Sequence, residues 1–172
     1  MTDEINPQPD FSGEVPASVK PDLRQSANAL DICRGVHRLL IGHGFSCVSE
    51  LSLANGRRAD VAALSARGDV VIVEIKSSIE DFRTDQKWPE YLDFCDKLYF
   101  AVKPGFPVEI LPHEAGLILA DRFGGEIVRE APQTKLAGSR RKAMTLRFAR
   151  AAALRLSVAL DPGLAQLFTD AG

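Results

Sequence analysis

Asp60, Glu74 and Lys76 have the residue types and spacing to gather a metal ion against a phosphate. Glu74 and Lys76 are two apart, so on a strand their side chains leave the same face. Asp60 lies on the preceding extended stretch, and the short turn at 65–69 makes the two strands antiparallel. If Leu64 pairs with Val70, Asp60 falls opposite Glu74; if Ser65 pairs with Val71, it falls opposite Lys76. Both registers bring the three groups to one face, whereas an odd shift turns Asp60 away. Two carboxylates a few ångströms apart repel. A divalent cation removes that cost, and hard oxygen ligands suit Mg²⁺ or Mn²⁺. A neighbouring lysine can orient or deprotonate water at the metal, or stabilise charge on a phosphate. These are the parts that phosphodiester hydrolysis needs. The plainer alternative makes Glu74 and Lys76 a solvent-facing ion pair worth under about 1 kcal/mol. Asp60 at the matching place on the neighbouring strand favours the chemical reading.

The elements that must position these residues follow from periodicity. Apolar Ala29, Ile32, Val36, Leu39 and Leu40 predict a helix over 27–41, closed by Gly42 and Gly44. Residues 46–53 predict a strand, and Asn55-Gly56 a two-residue hairpin turn in which both residues take positive φ. Strands over 58–64 and 70–76 follow, the latter with β-branched Val71, Val73 and Ile75 on one side. A helical stretch over 79–95 is broken or restarted at Pro89. Strands are expected over 97–102, 116–120 and 126–130, and a long helix over 139–160, ended by Asp161-Pro162-Gly163. The order is α-β-β-β-α-β with additional C-terminal strands and a helix, an α/β fold with one mixed sheet flanked by helices. Residues 1–26 read as a mobile acidic tail with Pro7, Pro9, Pro16 and Pro21. Residues 27–160 form one domain and 161–172 a short C-terminal tail.

Composition narrows the class. The chain has 172 residues, 45% hydrophobic and 26% charged, which suits one globular domain. A net charge of −2 does not by itself announce a nucleic-acid partner. Cys33, Cys47 and Cys95 are widely spaced and odd in number, which points to reduced core thiols in the cytoplasm rather than disulfides or zinc. No membrane-spanning run or signal peptide is expected. His37, His43 and His113 lack metal spacing. There is no phosphate-binding glycine loop and no serine elbow.

Gly56-Arg57-Arg58-Ala59-Asp60-Val61 and Val73-Glu74-Ile75-Lys76-Ser77-Ser78 together resemble the D…E-x-K signature of the restriction-endonuclease-like, or PD-(D/E)XK, superfamily. Lys87-Trp88-Pro89-Glu90-Tyr91 and the run from Arg140 to Arg150 resemble, more narrowly, the MmcB family of bacterial DNA-repair proteins over most of 27–157. The resemblance implies a restriction-endonuclease-like core, a role in repair of chromosomal DNA, and Asp60, Glu74 and Lys76 in the metal and water roles. Ala59 replaces the wider pattern's proline. The first-helix glutamate of many relatives has no clear counterpart. Asp31 and Glu50 are the candidates for an additional acid, and Gln86 for a further polar contact. An ideal Asn55-Gly56 turn sets Asp60 opposite Leu51 and turns Glu50 away; a bulge reverses this.

Between Ala131 and Leu160 the chain has basic residues and no acid. A helix there places Leu146, Ala149, Ala153, Leu156 and Leu160 on one stripe to dock on the sheet. Arg140, Arg147 and Arg155 then lie broadly opposite, facing outward, with Arg150 on the flank. Arg140, Arg141, Lys142, Arg147 and Arg150 are the candidates for phosphate contacts, with Arg57, Arg58, Arg83 and Lys87 nearer the proposed metal site. Trp88, Tyr91, Phe94 and Phe100 read as core. DNA is the expected partner, with other repair proteins and a second copy of the chain left open.

Overall fold

A computed structural model describes residues 27–85 and 87–168; the tail expected over 1–26, Gln86 and residues 169–172 lie outside that range. Helix α1 (Ala27–Gly42) buries Ile32, Val36 and Leu40, one helical row. It ends at Gly42, and Gly44 follows at φ 81°, the left-handed conformation that glycine adopts without steric cost.

Strands β1 (Phe45–Ser52), β2 (Arg58–Ser65), β3 (Val70–Ile75), β4 (Lys97–Val102), β5 (Gly116–Asp121) and β6 (Gly124–Arg129) form one sheet in sequence order. Neighbours are antiparallel from β1 to β3, parallel from β3 to β5 and antiparallel at β6. Helix α1 covers one face, packing on Val61, Val71, Val73, Tyr99 and Ile118. The other face, with Ala62, Ile72, Leu98 and Phe100, is covered by Tyr91 and Cys95 and by Met144, Phe148 and Ala151. Every residue of β3 is buried, as expected of a strand covered on both sides. Phe100 lies beneath the edges of Phe82 and Trp88. Cys33 and Cys47 are half-buried, Cys95 is buried, and all three are free.

Three expectations change. The Asn55-Gly56 turn is a three-residue hairpin: Leu53 N–H donates to Arg57 O (2.7 Å), and only Gly56 has positive φ, at 80°. The extra residue sets the register Ser49↔Val61 and Leu51↔Ala59, which leaves Glu50 facing Asp60. As expected, the helical stretch after β3 is broken near Pro89, into α2 (Ile79–Thr84) and a 3₁₀ segment, Trp88–Phe94, with Pro89 in its first turn. Pro162–Phe168, read as part of a tail, is a further 3₁₀ segment.

The third change concerns α3 (Gly138–Leu160). It buries Met144, Phe148, Ala151 and Val158, while Leu146, Leu156 and Leu160 are exposed. Both stripes have helical spacing. The outer carbonyls of edge strand β1 favour the observed one. Arg147 donates to Ser52 O (3.2 Å), and Arg155 to Ser49 O and Glu50 O, so these arginines face the sheet edge and not outward. Among the described residues, no helix is long and apolar enough to cross a membrane.

Candidate active site

The β2–β3 ladder runs from Leu64↔Val70 to Val61↔Val73 and stops one residue short of Asp60 and Glu74. Beyond it the backbones part, and the two carboxylates take over the pairing. Ile75 N–H donates to Asp60 Oδ2 (2.7 Å), and Asp60 N–H donates to Glu74 Oε1 (3.4 Å). The first of the two registers open from the sequence is therefore the one adopted, with Asp60 across from Glu74. Lys76 Nζ lies 3.9 Å from Glu74 Oε2. Asp60, Glu74 and Lys76 line a cleft of about 450 Å³ with Glu50, Arg58 and Tyr91, at the C-terminal end of β3.

Burial raises the Asp60 carboxyl from its ordinary value to about 6, against the opposing pull of the Ile75 N–H and of Lys76. Glu74, only 3% exposed, is raised well above its ordinary range by burial and then by the charge of Asp60. The two acids thus share one desolvated place and disfavour each other's ionisation. Burial works to lower the Lys76 ammonium, but hydrogen bonding to Asp85 and the charges of Glu74, Asp85 and Asp60 outweigh it and raise its pKa. Lys76 is a fixed cation here.

Its strongest partner is Asp85, the residue that caps the end of α2, with Nζ 2.6 Å from Oδ2. The start of the same helix is tied down as firmly. Ser78 Oγ accepts from Asp81 N–H (3.1 Å), and Asp81 Oδ2 accepts from Ser77 N–H (3.0 Å). This reciprocal capping fixes the chain just after Lys76 and brings Asp81 to the cleft rim.

Glu50 has φ 52°, the one left-handed non-glycine residue among those described. Its Oε2 lies 2.5 Å from Arg58 Nε, and its carbonyl accepts from Arg155 (2.9 Å). A strained residue held from two sides at a cleft is the pattern of a site imposed by its surroundings. Asp31 pairs with Arg34 (3.2 Å) on α1 and does not line the cleft.

A family model for the DNA repair protein MmcB-like group matches residues 16–163. The chain belongs to the MmcB-like DNA repair protein family. The solved structure of SPO1766, a protein of unknown function from Silicibacter pomeroyi, is similar to it at 45% identity and a TM-score of 0.78. The match covers 80% of this chain and 94% of that one. No functionally curated protein matches.

In this MmcB-like chain the basic residues singled out from the sequence have different surroundings. Arg57 pairs with Glu90 (2.8 Å) beside the Tyr91 ring, and Tyr91 Oη donates to Arg58 O (3.1 Å), which fastens the 3₁₀ segment to β2. Arg140 pairs with Asp93 (2.5 Å). Arg141 holds buried Asp96 in a two-point grip at 2.8 and 2.6 Å. Arg83, Lys87, Lys142 and Arg150 are exposed. Sequence reasoning missed Asp85, Asp81 and the inward role of Arg155. The Ser78-x-x-Asp81 spacing was a readable capping signal. Nothing local announces Asp85.

Proposed function

We propose that this MmcB-like protein is a divalent-metal-dependent deoxyribonuclease acting in DNA repair. One observation carries the reading: two acids, buried side by side and both raised, close the gap between parting strands and meet a fixed cation. Asp60 and Glu74 fit a hard divalent ion, which would compensate the charge that burial and mutual repulsion now oppose. Among the described residues no group of three or more His, Cys, Asp or Glu side chains forms a cage. Two carboxylates suit Mg²⁺ or Mn²⁺, since Mg²⁺ commonly keeps several waters and takes one or two protein carboxylates. When bound, the ion supplies Lewis-acid polarisation of the phosphate. Lys76, kept protonated by Asp85, stabilises negative charge developing on the phosphate oxygens and does not serve as the base. Arg58, paired with Glu50, lines the cleft wall, and Tyr91 holds the β2 backbone on which Asp60 rests.

A second reading has its own support. The 2.6 Å grip of Asp85 on Lys76, shorter than the 3.9 Å approach to Glu74, suits a protein that keeps the nuclease arrangement and only binds DNA. Cleavage of single-stranded, duplex and branched DNA with Mg²⁺ or Mn²⁺ separates the two. Wild-type protein is expected to cut and to stop on chelation. Asp60→Asn and Lys76→Met are expected to lose at least about 100-fold in rate while staying folded. Binding without cutting by the wild type selects the second reading; equal cutting by all three proteins assigns the activity elsewhere.

A further inference from the structure

Parallel strands β3, β4 and β5 end on the same side of the sheet. The β5–β6 hairpin therefore carries its tip, Arg122-Phe123, to the edge where Glu74 and Lys76 lie. Two strand spacings, ~10 Å, separate β3 from β5, and because Glu74 is level with Phe100 and Leu117 the tip stands about five residues further along, ~17 Å, which sets it ~20 Å from the carboxylates. Helix α1 links the two places: Ala29 lines the cleft, and Gly35 lies against the hairpin.

Phe123 is 70% exposed, a large aromatic ring with no apolar cover. The Arg122 guanidinium lies 4.7 Å from its centroid, a cation on the π-face. The tip is built to hold this ring out. Asp121 Oδ1 accepts from Phe123 N–H (2.8 Å) and Gly124 N–H (3.2 Å), and Arg38 donates to Phe123 O (3.3 Å). A Cβ on Gly35 would collide with Asp121 O and Gly124 O, so only glycine lets α1 brace the turn. Beside the ring a shallow groove of about 430 Å³ runs past Pro104, Leu119 and Gly125 toward the end of β4.

We propose that Arg122-Phe123 is a stacking platform for an unpaired nucleobase, which directs single-stranded or frayed DNA across the strand ends into the cleft. The proposal rests on the DNA-acting reading above and names its substrate class. Bases inside a duplex are already stacked on each other, so a single projecting ring finds a π-face only at a strand end, a flap or a single strand. Aromatic side chains bind such bases with little sequence preference, and a neighbouring arginine adds attraction. The ~20 Å span to the carboxylates corresponds to about six stacked nucleotide steps of ~3.4 Å, well within reach of a short single strand.

Fluorescence anisotropy of labelled dT20 and of a 20-base-pair duplex, with full-length protein in EDTA, reads binding without cleavage. Phe123→Ala is expected to weaken dT20 binding about tenfold and duplex binding less than about twofold. Phe123→Trp is expected to retain dT20 binding within about twofold, and the salt dependence of Phe123→Ala should match that of wild type because no phosphate contact is lost. Equal dT20 affinity for wild type and Phe123→Ala overturns the platform, as does an equal loss on both DNAs. Wild-type protein that binds neither DNA overturns the platform and the DNA-acting reading together. Wild-type binding in EDTA followed by no cleavage once Mg²⁺ or Mn²⁺ is restored overturns only the nuclease reading.

Discussion

Glu74 and Asp96 stand on adjacent strands' sides of the same core, each 3% exposed, yet their carboxyls are shifted in opposite directions. Asp96 precedes β4. Burial works to raise it, but two hydrogen bonds from Arg141 and the N–H groups of Val70 (2.8 Å) and Leu136 (2.9 Å) hold it below the ordinary range. Glu74 has one long N–H bond and a lysine at 3.9 Å whose closer partner is Asp85. Solvent exposure is the same and partners are not. A carboxylate with its oxygens filled is structural, while one left undercompensated at an open cleft can still take a cation.

The comparison is broken most directly by removing each acid. Asp96→Ala strands the Arg141 charge and two buried N–H groups, and should cost about 3–5 kcal/mol, or roughly 10 °C in Tm. Glu74→Gln removes a repelled charge and is expected to hold or raise the Tm of metal-free protein. Thermal melts of the two variants in EDTA decide it. If Glu74→Gln loses as much as Asp96→Ala, the cleft acid is a structural member and the contrast is gone.

Acidity sharpens the same contrast. Folded Asp60 keeps its proton up to about pH 6, whereas the unfolded chain releases it near the ordinary value of 3.8. Folding therefore takes up a proton between these values, and metal-free protein loses stability as pH rises through that window. Glu74 contributes in the same direction, since burial and the charge of Asp60 raise it as well. Asp96 acts oppositely: its stabilisation is present above the ordinary carboxylate range and disappears as pH falls through its lowered folded value. In EDTA, Asp60→Asn should remove part of the wild-type decline between pH 4 and 7, on the order of 1–2 kcal/mol or a few degrees of Tm. Parallel curves for the two proteins would show that Asp60 is not held protonated.

The cleft trio was legible because it depends on short-range rules: period two along a strand, and a short turn that makes its neighbour antiparallel. Asp96 was not, since its partners Val70, Leu136 and Arg141 are 26, 40 and 45 residues away. The α3 face failed for a different reason. Leu146-Ala149-Ala153-Leu156 and Met144-Phe148-Ala151-Val158 both satisfy helical periodicity, so hydrophobicity picked the stripe richer in leucine. Hydrogen bonding at the edge of β1 favours the other, and arginines there serve carbonyls rather than solvent. Asp85 escaped because a residue just past a six-residue helix has no pattern of its own. The register of β1 turned on one residue in the hairpin, which an Asn-Gly pair leaves undecided.

Glu50 offers the smallest test, and it sits between the two regimes. Its carboxylate is paired with Arg58 like a structural group, but its backbone is strained like a functional one. Glu50→Ala and Glu50→Gly both lose the ion pair, so the difference between them isolates the φ of 52°. Glycine accepts that conformation at no steric cost, and alanine resists it by about 1 kcal/mol. Glu50→Gly is therefore expected to melt roughly 2–4 °C above Glu50→Ala. Equal melting temperatures would mean that the backbone relaxes once the side chain is gone, so that Arg58 drawing the carboxylate inward, and not the Arg155 grip on the carbonyl, imposes the left-handed turn.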